Sequence, residues 1–362
     1  MPFSFLNRAR NITASLVRHG LHQDDAQRFQ NFIRTANDRE LYRVNPRYLA
    51  QQLRWTEKQT LDVLAISTAE GIWQLEWDSH CAACGALVQQ TGTLADLHSH
   101  QHCPACGADG EINLDAEIVL RASLAEDVRK LDRKRRDSPD FRDQVDEHLG
   151  RVPSLHLINR PLFRQLLGEQ VLPPNQSLGV QHVAVFFSDL QQSTRLYQHL
   201  GDAHAYKLVR EHFEVIFDVV ERHGGSAVKT IGDGVMGTFS DDAAALQGVI
   251  ECITEMEKIN QRENLAEEDC LRLKVGLHAG ACIVVTLNGR LDYFGSTVNI
   301  AARLSDLAGG REVVLSQEMM INPAVNALVA KMRCKTEDKT RLRGVLSAVG
   351  ICRLQLLDES GQ

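Results

Sequence analysis

The chain has 362 residues, of which 43% are hydrophobic and 24% charged, with a formal net charge of -7. That composition excludes a disordered or collagen-like chain, and the negative balance excludes a general attraction to nucleic acid or anionic membrane, a local patch aside. No apolar run reaches the roughly 18 residues of a membrane span, and MPFSFLNRARNITASLVRHG has no secretory h-region. A cytoplasmic α+β protein of several domains is therefore expected.

From Asn45 the text NPRYLAQQLRWTEKQTLDVLAISTAEGIWQLEW reads as helix, turn, helix and strand. Asn45 caps with Pro46 at the first helical position, and Thr56 with Gln59 forms a capping box that opens the second helix. Gly71 stops that helix and Ile72 to Trp77 alternates like a strand, which predicts a winged-helix-like module over residues 1–78. Its second helix carries Lys58 as its one basic residue, so a structural or dimerising role is expected and DNA is not the expected partner.

Residues 79–122 hold two CxxC pairs, Cys81 with Cys84 and, 18 residues on, Cys103 with Cys106. Two such turns, relaxed by Gly85 and Gly107, suit a four-cysteine ribbon around one structural Zn²⁺. Four thiolates leave no open coordination position, and a thioredoxin-like redox pair lacks its βαβ setting here. His98, His100 and His102 are expected as exposed loop residues.

A strand over Glu111–Ser123 follows, and then a linker, 123–178, with two helical pieces broken at Ser138 and Pro139. The basic run Arg129 to Arg136 is expected to be a solvated helix face. One connector helix is predicted from Pro153 until Pro173 and Pro174, and the last domain, 179–362, begins after it.

In that domain HVAVFFSDL is a buried strand that delivers Asp189 at its tip, and VKTIGDGVM places Asp233 on a glycine-flanked hairpin turn. Adjacent strands can bring the two carboxylates together, and like charges that close require a cation such as Mg²⁺ or Mn²⁺. The helix start at Gln191, Gln192, Ser193 and Thr194 offers backbone N–H groups to a phosphate chain. Further on, Asn299 and Arg303 lie four apart on one helix face, where the guanidinium can bind a phosphoryl group or pair with Asp306 or Glu312.

The motifs FFSDLQQST, VKTIGDGVM, LKVGLHAG and DYFGSTVNIAARL, in this order and spacing, resemble the catalytic domain of class III adenylate and guanylate cyclases over Val183 to Leu354. The N-terminal half resembles a bacterial uncharacterised domain that precedes such cyclases. The resemblance implies a ferredoxin-like βαββαβ core and a head-to-tail homodimer through the cyclase domain, with two shared clefts. Asp189 and Asp233, with the Leu190 carbonyl, are implied as ligands of two Mg²⁺ or Mn²⁺ ions. One ion activates the ribose 3′-hydroxyl for attack on the α-phosphate and the other holds the triphosphate.

From the partner chain the resemblance assigns Asn299 to the ribose and Arg303 to the transition-state phosphate. Lys229 and Asp292 match the pair that reads adenine, the ammonium donating to N1 and the carboxylate accepting from the N6 amine, which makes ATP the expected substrate. Gln192 departs from the glycine found beside the phosphates in many relatives, and Arg343 falls where some members carry a phosphate-binding lysine. The expected activity is adenylate cyclase with an N-terminal regulatory region. The alternatives are a nucleotide-binding regulatory cyclase-like protein without turnover, a cyclase of another base, and a zinc-ribbon transcription regulator.

Overall fold

The computed structural model describes residues 13–168, 170–332, 334–345 and 347–356; the first twelve residues of the opening stretch read above lie outside them. The chain divides into two compact units, Met1–Val180 with Val284–Asp292, and Gln181–Ile283 with Tyr293–Gln362.

In the first unit, helix α1 (Gln23–Thr35) precedes the expected pair, α2 (Pro46–Leu53) and α3 (Glu57–Ala69). Both N-caps form, Asn45 accepting from the Arg47 N–H and Thr56 from the Gln59 N–H, but the expected capping box is only half made, because the Gln59 side chain donates to Asp25 instead. Strand β1 (Trp73–His80) follows, but it is the centre of a three-stranded antiparallel sheet and not a free wing. Its neighbours are β2 (Leu87–Thr91) and, beyond the short hairpin of β3 (His100–His102) and β4 (Asp109–Glu111), β5 (Ile118–Leu124). Seven residues of α3, from Thr60 to Ser67, are buried, which leaves little of that helix to enter a DNA groove. The apolar core joins Phe29, Ile33, Leu64, Trp73 and Ala122, so helices and sheet share one interior.

The linker departs from its prediction. Residues before Ser138 form turns, so that of the two helical pieces expected on either side of Ser138 and Pro139 only α4 (Pro139–Leu149) forms. The basic run is not a solvated helix face: Arg129 donates to the carbonyls of Ile33 and Ala36 and pairs with Asp38, while Arg136 pairs with Glu126 and lies over the Tyr42 ring. Only the two ends of the run are held in this way; Lys130, Arg133, Lys134 and Arg135 are exposed, as expected, although not on a helix. The single connector helix is likewise two short ones, α5 (Ser154–Ile158) and α6 (Pro161–Leu166), because Pro161 has no N–H to continue the first.

In the second unit, β6 (Ser177–Leu190) leads to α7 (Ser193–Leu200) and α8 (Asp202–Arg222), then the hairpin β7 (Ser226–Ile231) and β8 (Gly234–Phe239). Helix α9 (Asp242–Arg262), β9 (Leu273–Leu287), β10 (Arg290–Phe294) and α10 (Ser296–Leu307) follow, the stretch Val284–Asp292 of β9 and β10 belonging to the first unit. The unit ends with β11 (Glu312–Ser316), α11 (Pro323–Val329), β12 (Cys334–Thr340) and β13 (Val349–Gln355). The sheet runs β12-β13-β11-β9-β6-β8-β7. Its β9-β6-β8-β7 part has the fourth-first-third-second order of a ferredoxin-like βαββαβ unit. The second unit's core packs Phe186, Phe239, Ile216 and Met256 between sheet and helices.

Candidate active site and zinc centre

A hairpin turn brings two acids from different strands to one place. Ile231 pairs with Gly234 across a two-residue turn, Gly232–Asp233, in which Gly232 takes φ +62°. Gly234 serves a different need, since a Cβ there would sit 2.2 Å from the Ser188 carbonyl oxygen. Only glycine lets the turn close onto the end of β6, and this brings Asp233 into side-chain contact with Asp189.

Burial raises the pKa of Asp189, and the Asp233 charge raises it further; against both, the Lys274 ammonium lies 2.6 Å from Asp189 Oδ2. Asp233 Oδ2 is buried with no hydrogen-bond partner. Adjacent carboxylates, one with an orphaned buried oxygen, are a donor set that fits a divalent cation. Behind the turn, His212 of α8 is fully buried and its Nε2 lies 3.0 Å from the Asp233 carbonyl oxygen, which anchors the Gly232–Asp233 turn from below. Lys274 and His212 are the two site residues that sequence reasoning missed. LRLKVG does carry a signal for the first, a cation inside an apolar run beside a strand that ends in an acid.

The predicted phosphate cradle starts at α7 as expected, but Gln192 occupies the N-cap in the left-handed region, φ 60°. The helical pattern read from Gln191 is also cut at Gly201, φ 77°, into α7 and α8. Ser193 is half-buried, and Gln191 and Thr194 are exposed. A left-handed non-glycine residue is strained by about 1 kcal/mol or more, partly offset by the greater unfolded-state entropy of glycine. Gln192→Gly should therefore stabilise the domain by about 0.5–1 kcal/mol, read as a higher denaturation midpoint; a lower midpoint would show that the glutamine side chain contributes packing.

On α10 both Asn299 and Arg303 are exposed on one face, and Arg303 pairs with Asp306 at 2.9 Å, one of its two expected partners. Glu312 instead pairs with Arg353 at 3.0 Å. Lys229 lies 5.8 Å from the centroid of the Phe294 ring, a cation–π approach, while Asp292 is buried on β10. Leu190 ends β6, and Arg343 is exposed in the turn between β12 and β13.

The four ribbon cysteines gather with their sulfurs within 4.8 Å of one another. The Cys81–Cys106 and Cys84–Cys103 sulfur pairs are each 3.7 Å apart, close to the edge of a tetrahedron built on a Zn–S bond of about 2.3 Å. The knuckles repeat: Gly85 donates to the Cys81 carbonyl and Gly107 to the Cys103 carbonyl, at φ 72° and 74°. The donor set fits a closed zinc site. His102 pairs with Asp109, and all three histidines are exposed as expected, but His100 and His102 lie on β3 and not in a loop.

Known proteins resemble both parts of the chain. The adenylate and guanylate cyclase catalytic domain family matches residues 176–350, which contain every one of the motif residues above. Residues 176–350 thus match a cyclase catalytic domain. Adenylate cyclase 2 of Rhizobium meliloti is 30% identical over 175 residues, covering 45% of this chain and 47% of its own. An adenylate cyclase of Mycosarcoma maydis is 30% identical over 174 residues, covering 42% of this chain and 7% of its own. The matched segment is thus less than half of either relative. Among solved structures, the adenylyl cyclase CyaB from P. aeruginosa aligns at 22% identity with a TM-score of 0.44, covering 51% of this chain and 98% of its own. Residues 8–146 match a family of unknown function (DUF5939), so the cyclase domain is preceded by an uncharacterised one. No helix among the described residues is long and apolar enough to cross a membrane.

Proposed function

We propose that the cyclase domain converts ATP to 3′,5′-cyclic AMP and pyrophosphate. The observation that carries this is the Asp189–Asp233 contact with its orphaned buried oxygen. These two residues, with the Leu190 carbonyl, would hold Mg²⁺ or Mn²⁺. When bound, the metal lowers the pKa of the ribose 3′-hydroxyl and neutralises the triphosphate. The chain's own groups do the rest: the α7 N-terminus receives phosphate oxygens, Arg303 donates to the charge that grows on the α-phosphate, and Asn299 orients the ribose. Arg343, exposed beyond β12, is assigned a contact to the triphosphate. Lys229 and Asp292 supply the donor and acceptor that adenine requires.

Two clefts shared by a homodimer complete the reading. Ile231, Ile283 and Phe294 are exposed apolar residues of the second unit, 52%, 40% and 41% accessible, and a partner copy would cover them. The test is a panel of four nucleoside triphosphates with Mg²⁺ or Mn²⁺. Cyclic AMP from ATP alone is expected; tight ATP binding without product would favour the regulatory alternative, and equal turnover of all four would refute base selection.

The ribbon is assigned one structural Zn²⁺, which organises a segment with few core residues of its own. Purified protein should release about one zinc per chain when its thiols are modified, and Cys103→Ser should lose the metal together with the native fold of residues 80–111. A metal-free ribbon that keeps its amide-exchange protection would overturn the assignment.

A further inference from the structure

The first unit contains a cavity of about 620 Å³ that no catalytic assignment uses. That volume is within the usual range of small-molecule sites. Three elements build it: β1 and β5 form the floor, one face of α4 forms a side wall, and the chain leaving the first cysteine knuckle, Gly85 to Leu87, closes the other side.

The cavity's cations are already committed. Arg121, 4% exposed in its side chain, donates two hydrogen bonds to Asp146, at 2.8 and 2.5 Å, and faces Asp78 at 3.4 Å. Arg151 also pairs with Asp146, and Arg142 with Asp137. Asp78 is further paired with Arg43. Buried charges are tolerated when matched in this way. Asp143 and Glu147 also line the cavity, and neither has an ion-pair or hydrogen-bond partner among the described residues. The uncompensated charge of the lining is therefore negative.

A second observation points the same way. His80 lines the cavity at 8% exposure, and its Nδ1 donates to the Gly85 carbonyl oxygen at 3.1 Å. That hydrogen bond fixes the tautomer and leaves Nε2 as an acceptor, which is buried and has no partner. All the free polar capacity of these three residues thus accepts hydrogen bonds. Asp143 and Glu147 are one helical turn apart, about 6 Å along the axis, and Ala86, Leu87 and Pro139 add apolar surface to the lining.

We propose that this cavity binds an aliphatic di- or polyamine, its ammonium groups on Asp143 and Glu147 and its methylenes on the Leu87 and Pro139 side. The spacing of the two carboxylates suits a short diamine, and the apolar wall favours an organic cation over a hydrated metal ion. The ligand would act on the uncharacterised domain and not on the cyclase cleft, so the assignment stands independently of the proposed catalytic reaction.

The test is isothermal titration of the full chain with 1,4-diaminobutane and with spermidine at physiological salt, beside Mg²⁺ and Ca²⁺ alone. Saturable binding of an amine near one per chain is expected, weakened at least tenfold in an Asp143→Asn, Glu147→Gln double variant. Both residues are exposed, so the variant should keep the wild-type unfolding midpoint; Leu87→Ser provides a second variant that removes only the apolar wall and should weaken binding too. No saturable amine binding, undiminished binding by the double variant, or equal competition by Mg²⁺ would overturn the proposal.

Discussion

Asp189→Asn should abolish calorimetric Mn²⁺ binding and lower ATP turnover by about a thousandfold or more, with the domain still folded. The reason is electrostatic. Asp189 is partly exposed, and Asp233 keeps one buried oxygen without a partner, so the pair gains a counter-ion only from Lys274 on β9 or from a metal. The pH dependence has a definite sign. Because burial and the Asp233 charge raise the Asp189 pKa, its protonated form contributes stability that is complete below the ordinary carboxylate pKa. That contribution is lost as pH rises through the raised value. A divalent cation binds the ionised form, so the metal-induced rise in unfolding midpoint should grow as pH is raised from about 5 to about 8. Lys274→Gln removes the internal cation; the metal-free domain should then lose stability and the increment given by Mn²⁺ should become larger. An increment indifferent to pH, or a Lys274→Gln variant indistinguishable from wild type, would remove the carboxylate pair from the metal site.

Much of this arrangement is legible in the sequence because it is local. Asn45 and Thr56 cap their helices through bonds two and three residues away, and the CxxC knuckles close on themselves. Gly232 and Gly234 announce the turn that carries Asp233. What stays hidden is set by partners far along the chain. Lys274 faces Asp189 only because β9 lies beside β6, and His212 reaches the Asp233 carbonyl only because α8 packs under the hairpin. Arg129 and Arg136 look solvated in a window of eight residues, yet they neutralise Asp38 and Glu126 and never form a helix. The predicted wing is only partly legible for the same reason: alternation identifies β1 as a strand but cannot say that β5 will flank it.

The dimer reading makes the largest remaining prediction, a gain of activity from two dead proteins. Within one chain Arg303 is held by Asp306 and Asp189 by Lys274, so the phosphate-stabilising and metal-holding groups each have another partner. If a cleft takes Asp189 and Asp233 from one copy and Asn299 and Arg303 from the other, Asp189→Ala and Arg303→Ala each inactivate both clefts of their own homodimer. Mixed in equal amounts and allowed to exchange, half of the dimers are hybrids. In each hybrid one cleft carries both changes and the other carries neither, so the mixture should recover about a quarter of wild-type turnover. Dilution below the dimer dissociation constant should abolish it, along with wild-type activity. A charged substitution on the exposed apolar face, Ile231→Glu, should do the same at any concentration while leaving each chain folded. If Arg303 instead served its own chain's Asp189, no mixture of the two variants would recover activity, and a dilute monomer would keep its turnover.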